Sequence, residues 1–118
     1  MKLFLSIVFM ATGIISFCQK PKSGTYIYRY CDLEYENSCY SNCKVVIKGD
    51  SITVYATKEL SERRTYTKED DIIDQGIILK HKTGKWIIGN TKKDKKVGHV
   101  GVDGPAIIDF KEKKYWSF

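Results

Sequence analysis

Lys44-Val45-Val46-Ile47-Lys48-Gly49-Asp50-Ser51-Ile52-Thr53-Val54-Tyr55 carries the strongest local signal in the chain and reads as a tight hairpin. Val45 and Ile47 share one face of an extended strand, and Ile52 and Val54 can share that face on the returning one. Gly49-Asp50 interrupts the β-branched run where the chain has to reverse, and glycine supplies the φ freedom that a two-residue loop needs.

Similar units lie on both sides. Downstream, Gly76-Ile77-Ile78-Leu79-Lys80-His81-Lys82 runs into Thr83-Gly84 and returns as Lys85-Trp86-Ile87-Ile88-Gly89. Upstream, Thr25 to Cys31 is dense in β-branched and aromatic residues, with Tyr26, Tyr28 and Tyr30 on one face at period two. Near the end, Ala106-Ile107-Ile108-Asp109-Phe110 and Tyr115-Trp116-Ser117-Phe118 flank a charged turn region, Lys111 to Lys114. Val97 to Val102 alternates weakly and is cut by two glycines.

The intervening stretches are polar. Asp32 to Asn42 reads as a loop. Lys58 to Asp71 has Leu60 as its only strongly apolar residue, so a helix there would have almost nothing to bury, and an exposed connection is expected. Asn90 to Gly98 reads as a basic loop, and Asp103-Gly104-Pro105 as a turn. No segment offers ten residues with an apolar helical stripe. The fold expected is all-β: a small antiparallel curled sheet or barrel-like meander of seven to eight short strands that covers its own apolar face.

The chain has 118 residues, enough for one domain, with only two prolines and nine glycines, which excludes collagen-like and proline-rich disordered classes. Residues 1–18 read as a signal peptide: Lys2, then an apolar run from Leu3 to Ile15 too short to span a bilayer comfortably. Residues 19–24 form a polar tether, and 25–118 the β domain. Ser16 and Cys18 suit cleavage before Gln19. The rival reading makes Cys18 a lipidated first residue, but bulky Phe17 stands where a lipobox has a small one. The protein is therefore expected to be secreted or periplasmic, with an outer-membrane lipoprotein as the alternative and no transmembrane segment.

Export makes disulfides available. Beyond the leader stand Cys31, Cys39 and Cys43, an odd count that leaves one thiol over. The bridge runs from Cys31 to Cys39 or to Cys43, and Cys31–Cys43 is the pair expected. The Cys-x7-Cys-x3-Cys spacing is not a zinc pattern, and Cys-x-x-Cys is absent, so neither a metal nor another cofactor is expected.

Lysines and arginines number 20 against 14 acids, a formal charge of +6. Lys92, Lys93, Lys95 and Lys96, with Lys111, Lys113 and Lys114, form a candidate surface for phosphate, lipid headgroups or an acidic protein, and Trp116 stands nearby. A solvated, sheet-protecting face is the plainer reading. Export and the lack of a nucleic-acid-binding aromatic motif argue against nucleic acid. Tyr26, Tyr28 and Tyr30 form a recognition ladder if outward and a core if inward. Glu69, Asp70, Asp71 and Asp74 lack calcium-loop spacing and read as a solvated loop.

In size, export and the Tyr30-Cys31 strand the layout resembles the cysteine-stapled β-barrels of periplasmic lysozyme inhibitors, which implies a sheet that blocks a partner enzyme but transfers no residue role. The function expected is an exported binding module with a protein or envelope-glycan partner, an inhibitor or immunity protein being one version. The alternatives are a small secreted hydrolase using His99 with nearby acids such as Asp103, and a lipid-anchored structural component of the envelope.

Overall fold

The computed structural model describes residues 20–32, 38–101 and 104–117. Residues 1–18, read from the sequence as a leader and including Cys18, lie outside the described residues, as do Gln19 and Asp103. Seven strands close into a barrel: β1 (Gly24–Asp32), β2 (Ser38–Lys48), β3 (Ser51–Ala56), β4 (Ile72–Lys80), β5 (Trp86–Gly89), β6 (Ala106–Asp109) and β7 (Lys114–Ser117). A short helix, α1 (Lys58–Arg63), follows β3, and a 3-10 turn (Lys92–Lys96) follows β5. Every sequential pair is antiparallel. An odd number of alternating strands leaves the first and last pointing the same way, so β1 and β7 close the barrel in parallel, Arg29 opposite Lys114 and Asp32 opposite Ser117. Among the described residues no helix is long and apolar enough to cross a membrane.

The central hairpin forms as its sequence dictates, Val45 opposite Val54 and Ile47 opposite Ile52, with Gly49 at φ +60° in the turn. These four residues point inward with Tyr28, Tyr30, Ile78, Ile88, Ile108 and Tyr115. The tyrosine ladder thus takes its inward orientation. Tyr28 and Tyr30 are 3% and 1% exposed, and only Tyr26 is half-buried at the rim, so the outward recognition ladder is not formed. Seven strands enclose a wide interior, and rings fill it with fewer side chains than aliphatics would need.

The disulfide joins Cys31 to Cys39 rather than to Cys43. A bulge after Tyr30 shifts the register by one residue, which sets Cys31 directly opposite Cys39 with Cα atoms 3.9 Å apart. Cys43 lies opposite Tyr28, faces the core and is free. The polar stretch Ser38–Asn42, expected in a loop, is the first half of β2, because the end of β1 needs a hydrogen-bonding partner.

Lys58–Arg63 is helical, against expectation. One apolar residue suffices here because the helix packs on the ends of β2 and β3, where Leu60, 0% exposed, joins the core. Val97–Gly101 forms no strand. Instead the segment after β5 covers the outer face of β4 and β5, where Leu79 and Ile87 are buried. Buried His81 pins it: Nε2 donates to the Val97 carbonyl at 2.7 Å, and Nδ1 accepts from the Thr83 N–H at 3.2 Å.

Candidate functional site

The connections differ sharply between the two ends. Short turns join β2–β3, β4–β5 and β6–β7 at one end, while residues 57–71 and the connection leaving β5 lie at the other. Long connections on a rigid barrel are where binding groups gather, and this end opens into a cavity of about 600 Å³ lined by Arg64, Tyr66, Asp71, Asp74, Asn90 and Tyr115 among others.

The 57–71 connection is held in place from both sides. Thr57 caps α1, its Oγ1 accepting from Leu60 N at 3.2 Å and donating to Asn42 Oδ1 at 2.6 Å. Further on, Asp70 N donates to Ala56 O and Ala56 N to Asp71 O, each at 2.8 Å, so the loop returns along the end of β3. Arg64, just past the helix, is thereby aimed into the mouth. Its Nη1 donates to Tyr30 Oη at 2.8 Å, and its guanidinium carbon lies 5.5 Å from the Tyr30 ring centre.

Tyr30 also meets Tyr40 and Tyr115, with ring centres 5.5 and 5.8 Å away. Tyr115 donates to Asp74 Oδ2 at 3.0 Å, while Asp74 Oδ1 accepts from Gln75 N at 2.8 Å. Burial holds the Asp74 carboxyl above its ordinary range, and the hydrogen bonds from Tyr115 and Gln75 offset this only in part. The Tyr115 hydroxyl is raised by burial and then by the Asp74 charge beside it. Tyr40 is raised chiefly by burial and secondly by Tyr30. The mouth therefore offers a cation, carboxyl groups and phenol hydroxyls, with the Tyr66 ring wholly exposed beside them.

Most residues singled out from sequence lie elsewhere. Lys92, Lys93, Lys95 and Lys96 are exposed on the 3-10 turn outside the barrel. Trp116 is half-buried on the outer face of β7, opposite Ile107, with Lys114 Nζ 5.9 Å from its ring centre. Of the tyrosine ladder, only Tyr30 reaches the mouth, through its hydroxyl.

Sequence reading missed Arg64, Tyr66, Tyr115 and Asp74 as site residues. Asp74 stands not in a solvated loop but in β4, opposite inward-facing Val54. Its period-two spacing from Gly76 and Ile78 was the available signal: a carboxylate on a core-facing row. His99 is exposed and lines a separate hollow of about 340 Å³ with Asp94. The Oδ2 of Asp94 accepts from Asn90 N at 2.7 Å and Thr91 N at 3.2 Å, a local cap. Among the described residues no three histidine, cysteine or acidic side chains gather as a metal site.

Comparison of the chain with protein-family models, with curated proteins and with solved structures gives no match.

Proposed function

We propose that this protein is an exported binding module of the bacterial envelope or extracellular space that receives an envelope glycan in the long-loop mouth of its barrel. The observation that carries the reading is Tyr66, a fully exposed ring beside a polar cavity of about 600 Å³. That volume falls within the small-ligand range. Sugars present apolar ring faces and dense hydroxyls. Tyr66 suits the first, and Arg64, Asp71, Asp74 and Asn90 suit the second, offering both donors and acceptors. The apolar leader and the Cys31–Cys39 disulfide support export, since such bonds persist in oxidising compartments.

Calorimetric titration of soluble peptidoglycan fragments into the wild type and Tyr66→Ala tests it. Saturable binding is expected, weakened about tenfold or more in the variant, the cost of losing an aromatic anchor. Melting temperature should not move, because Tyr66 is wholly exposed. Absence of glycan binding, with capture of a protein that Tyr66→Ala and Arg64→Ala both release, would overturn the glycan assignment in favour of an inhibitor or immunity role.

A further inference from the structure

The end opposite the mouth has its own chemistry. Its three turns carry exposed Lys48, Lys82, Lys85, Lys111 and Lys113, and the tail leading into β1 adds Lys22. Lys20, Lys80, Lys92 and Lys95 line a groove of about 750 Å³ at the same end, floored by Ile77, Leu79 and half-buried Trp86. Lys80 Nζ stands 5.4 Å from the Trp86 ring centre.

The acids at this end are few, with Glu112 exposed on the same turn as Lys111 and Lys113. Asp50 is ion-paired to Lys20. Asp109 Oδ1 accepts from Lys111 N and Glu112 N, at 3.1 and 2.9 Å. At the mouth the charges are nearly balanced, with Glu59, Glu62, Glu69, Asp70, Asp71 and Asp74 set against Lys44, Lys58, Arg63, Arg64 and Lys68, and Lys44 Nζ 3.3 Å from Asp70 Oδ1. The excess of lysines is thus concentrated at the turn end.

The chain also enters at the basic end. Ser23 Oγ accepts from Gly49 N at 2.9 Å, and Tyr26 Oη donates to Lys22 O at 2.6 Å, so residues 20–23 are laid against the first turn and not across the mouth. Whatever precedes Lys20 is therefore attached at the lysine-rich face.

We infer that this basic end is a docking face for an anionic lipid bilayer, holding the barrel upright with its mouth turned away from the membrane. Lysines near such a surface each add to attraction within a Debye length. Trp86, packed inward against Phe110 with ring centres 5.6 Å apart, leaves part of its amphipathic ring exposed among them, at the depth where headgroups would sit. Because the lysines sit on the turns, the face meets a plane end-on, which a basic stripe along the barrel wall would not do.

The test is cosedimentation of the full chain with phosphatidylcholine vesicles, with and without phosphatidylglycerol, at low and high salt. Two variants are compared with wild type: Lys82→Gln/Lys85→Gln/Lys111→Gln/Lys113→Gln at the basic end, and Lys44→Gln/Lys58→Gln/Arg63→Gln/Lys68→Gln, which removes equal charge elsewhere. The leader is common to all three, so differences report the folded face. Partitioning to phosphatidylglycerol vesicles should fall more than about tenfold in the first variant and less than about twofold in the second, with high salt abolishing the gap. Equal losses in both variants would overturn the inference, since net charge alone would then govern binding. So would equal binding to pure phosphatidylcholine, or tighter binding to a duplex DNA probe lost with the same basic-end lysines.

Discussion

Tyr115 Oη donates a hydrogen bond to Asp74 Oδ2 across 3.0 Å, joining the last strand of the barrel to the fourth through its interior. The pair makes stability pH-dependent in an unusual direction. Burial raises the Asp74 carboxyl, so on raising the pH the unfolded chain releases its proton first. The stability contributed by Asp74 is fully present below the ordinary aspartate range and is lost as pH rises through the raised native value. Asp74→Asn cannot ionise and still accepts from Tyr115. Its urea midpoint should therefore decline less than that of the wild type between acid and neutral pH. Parallel pH profiles for the two proteins would contradict the assignment.

Leu60 fills the core beneath α1 at the loop end of the barrel. Leu60→Ala should cost about 2–5 kcal/mol, the range for truncating a buried leucine, whereas Glu62→Ala on the exposed side of the same helix should stay within about 0.5 kcal/mol. Denaturant unfolding of the two variants distinguishes a core side chain from a surface ornament.

Cys31 and Cys39 enclose a short loop, with a sequence separation of 8. In the chain-entropy account Cys31→Ser/Cys39→Ser should cost about 2–3 kcal/mol. Cys43 behaves in the opposite way to an exposed thiol. Burial pushes it up to about 12, so iodoacetamide at pH near 8 should leave the Cys43 peptide unmodified in the native protein and alkylate it in urea. Peptide mass mapping reads both states.

Gly76 faces inward from β4, opposite Ile52. A Cβ at this position would stand 2.3 Å from the Gly89 carbonyl oxygen and 3.0 Å from Ile88 Cγ2. The first neighbour is backbone of the adjacent strand and cannot turn aside. Gly76→Ala should therefore cost about 3 kcal/mol, the upper end for overpacking. Gly98→Ala, which meets nothing within 4 Å, should be close to neutral in the same thermal melts.

The strands were legible where alternation and turn chemistry agreed, as in Lys44–Tyr55 and Gly76–Gly89. What escaped was set by tertiary context. Nothing local to Tyr28 and Tyr30 says which face is wet, because pleated sheets accept aromatics on both. The bulge after Tyr30 decides the disulfide, and a one-residue slip of register leaves no trace in cysteine spacing. Helix α1 has a single buried side chain, so its stability comes from the barrel end beneath Leu60 and the Thr57 cap, not from a periodic stripe. The mouth was the least legible part. Its groups arrive from residues 30, 64, 66, 74 and 115, which only closure of the barrel brings together.

The parallel seam between β1 and β7 also dictates an order of events in time. Each hairpin can zip from its own turn as soon as both arms exist, but Arg29 meets Lys114 only after the intervening strands are in place. Such distant pairing carries the largest loop-closure cost and is the slowest to form. Until then β1 and the outer strand of the growing sheet present unpaired edges, a template for pairing between chains. The hazard of misassembly is thus concentrated in the interval before β7 is delivered, and a chain stalled short of Lys114 would be an open, adhesive sheet.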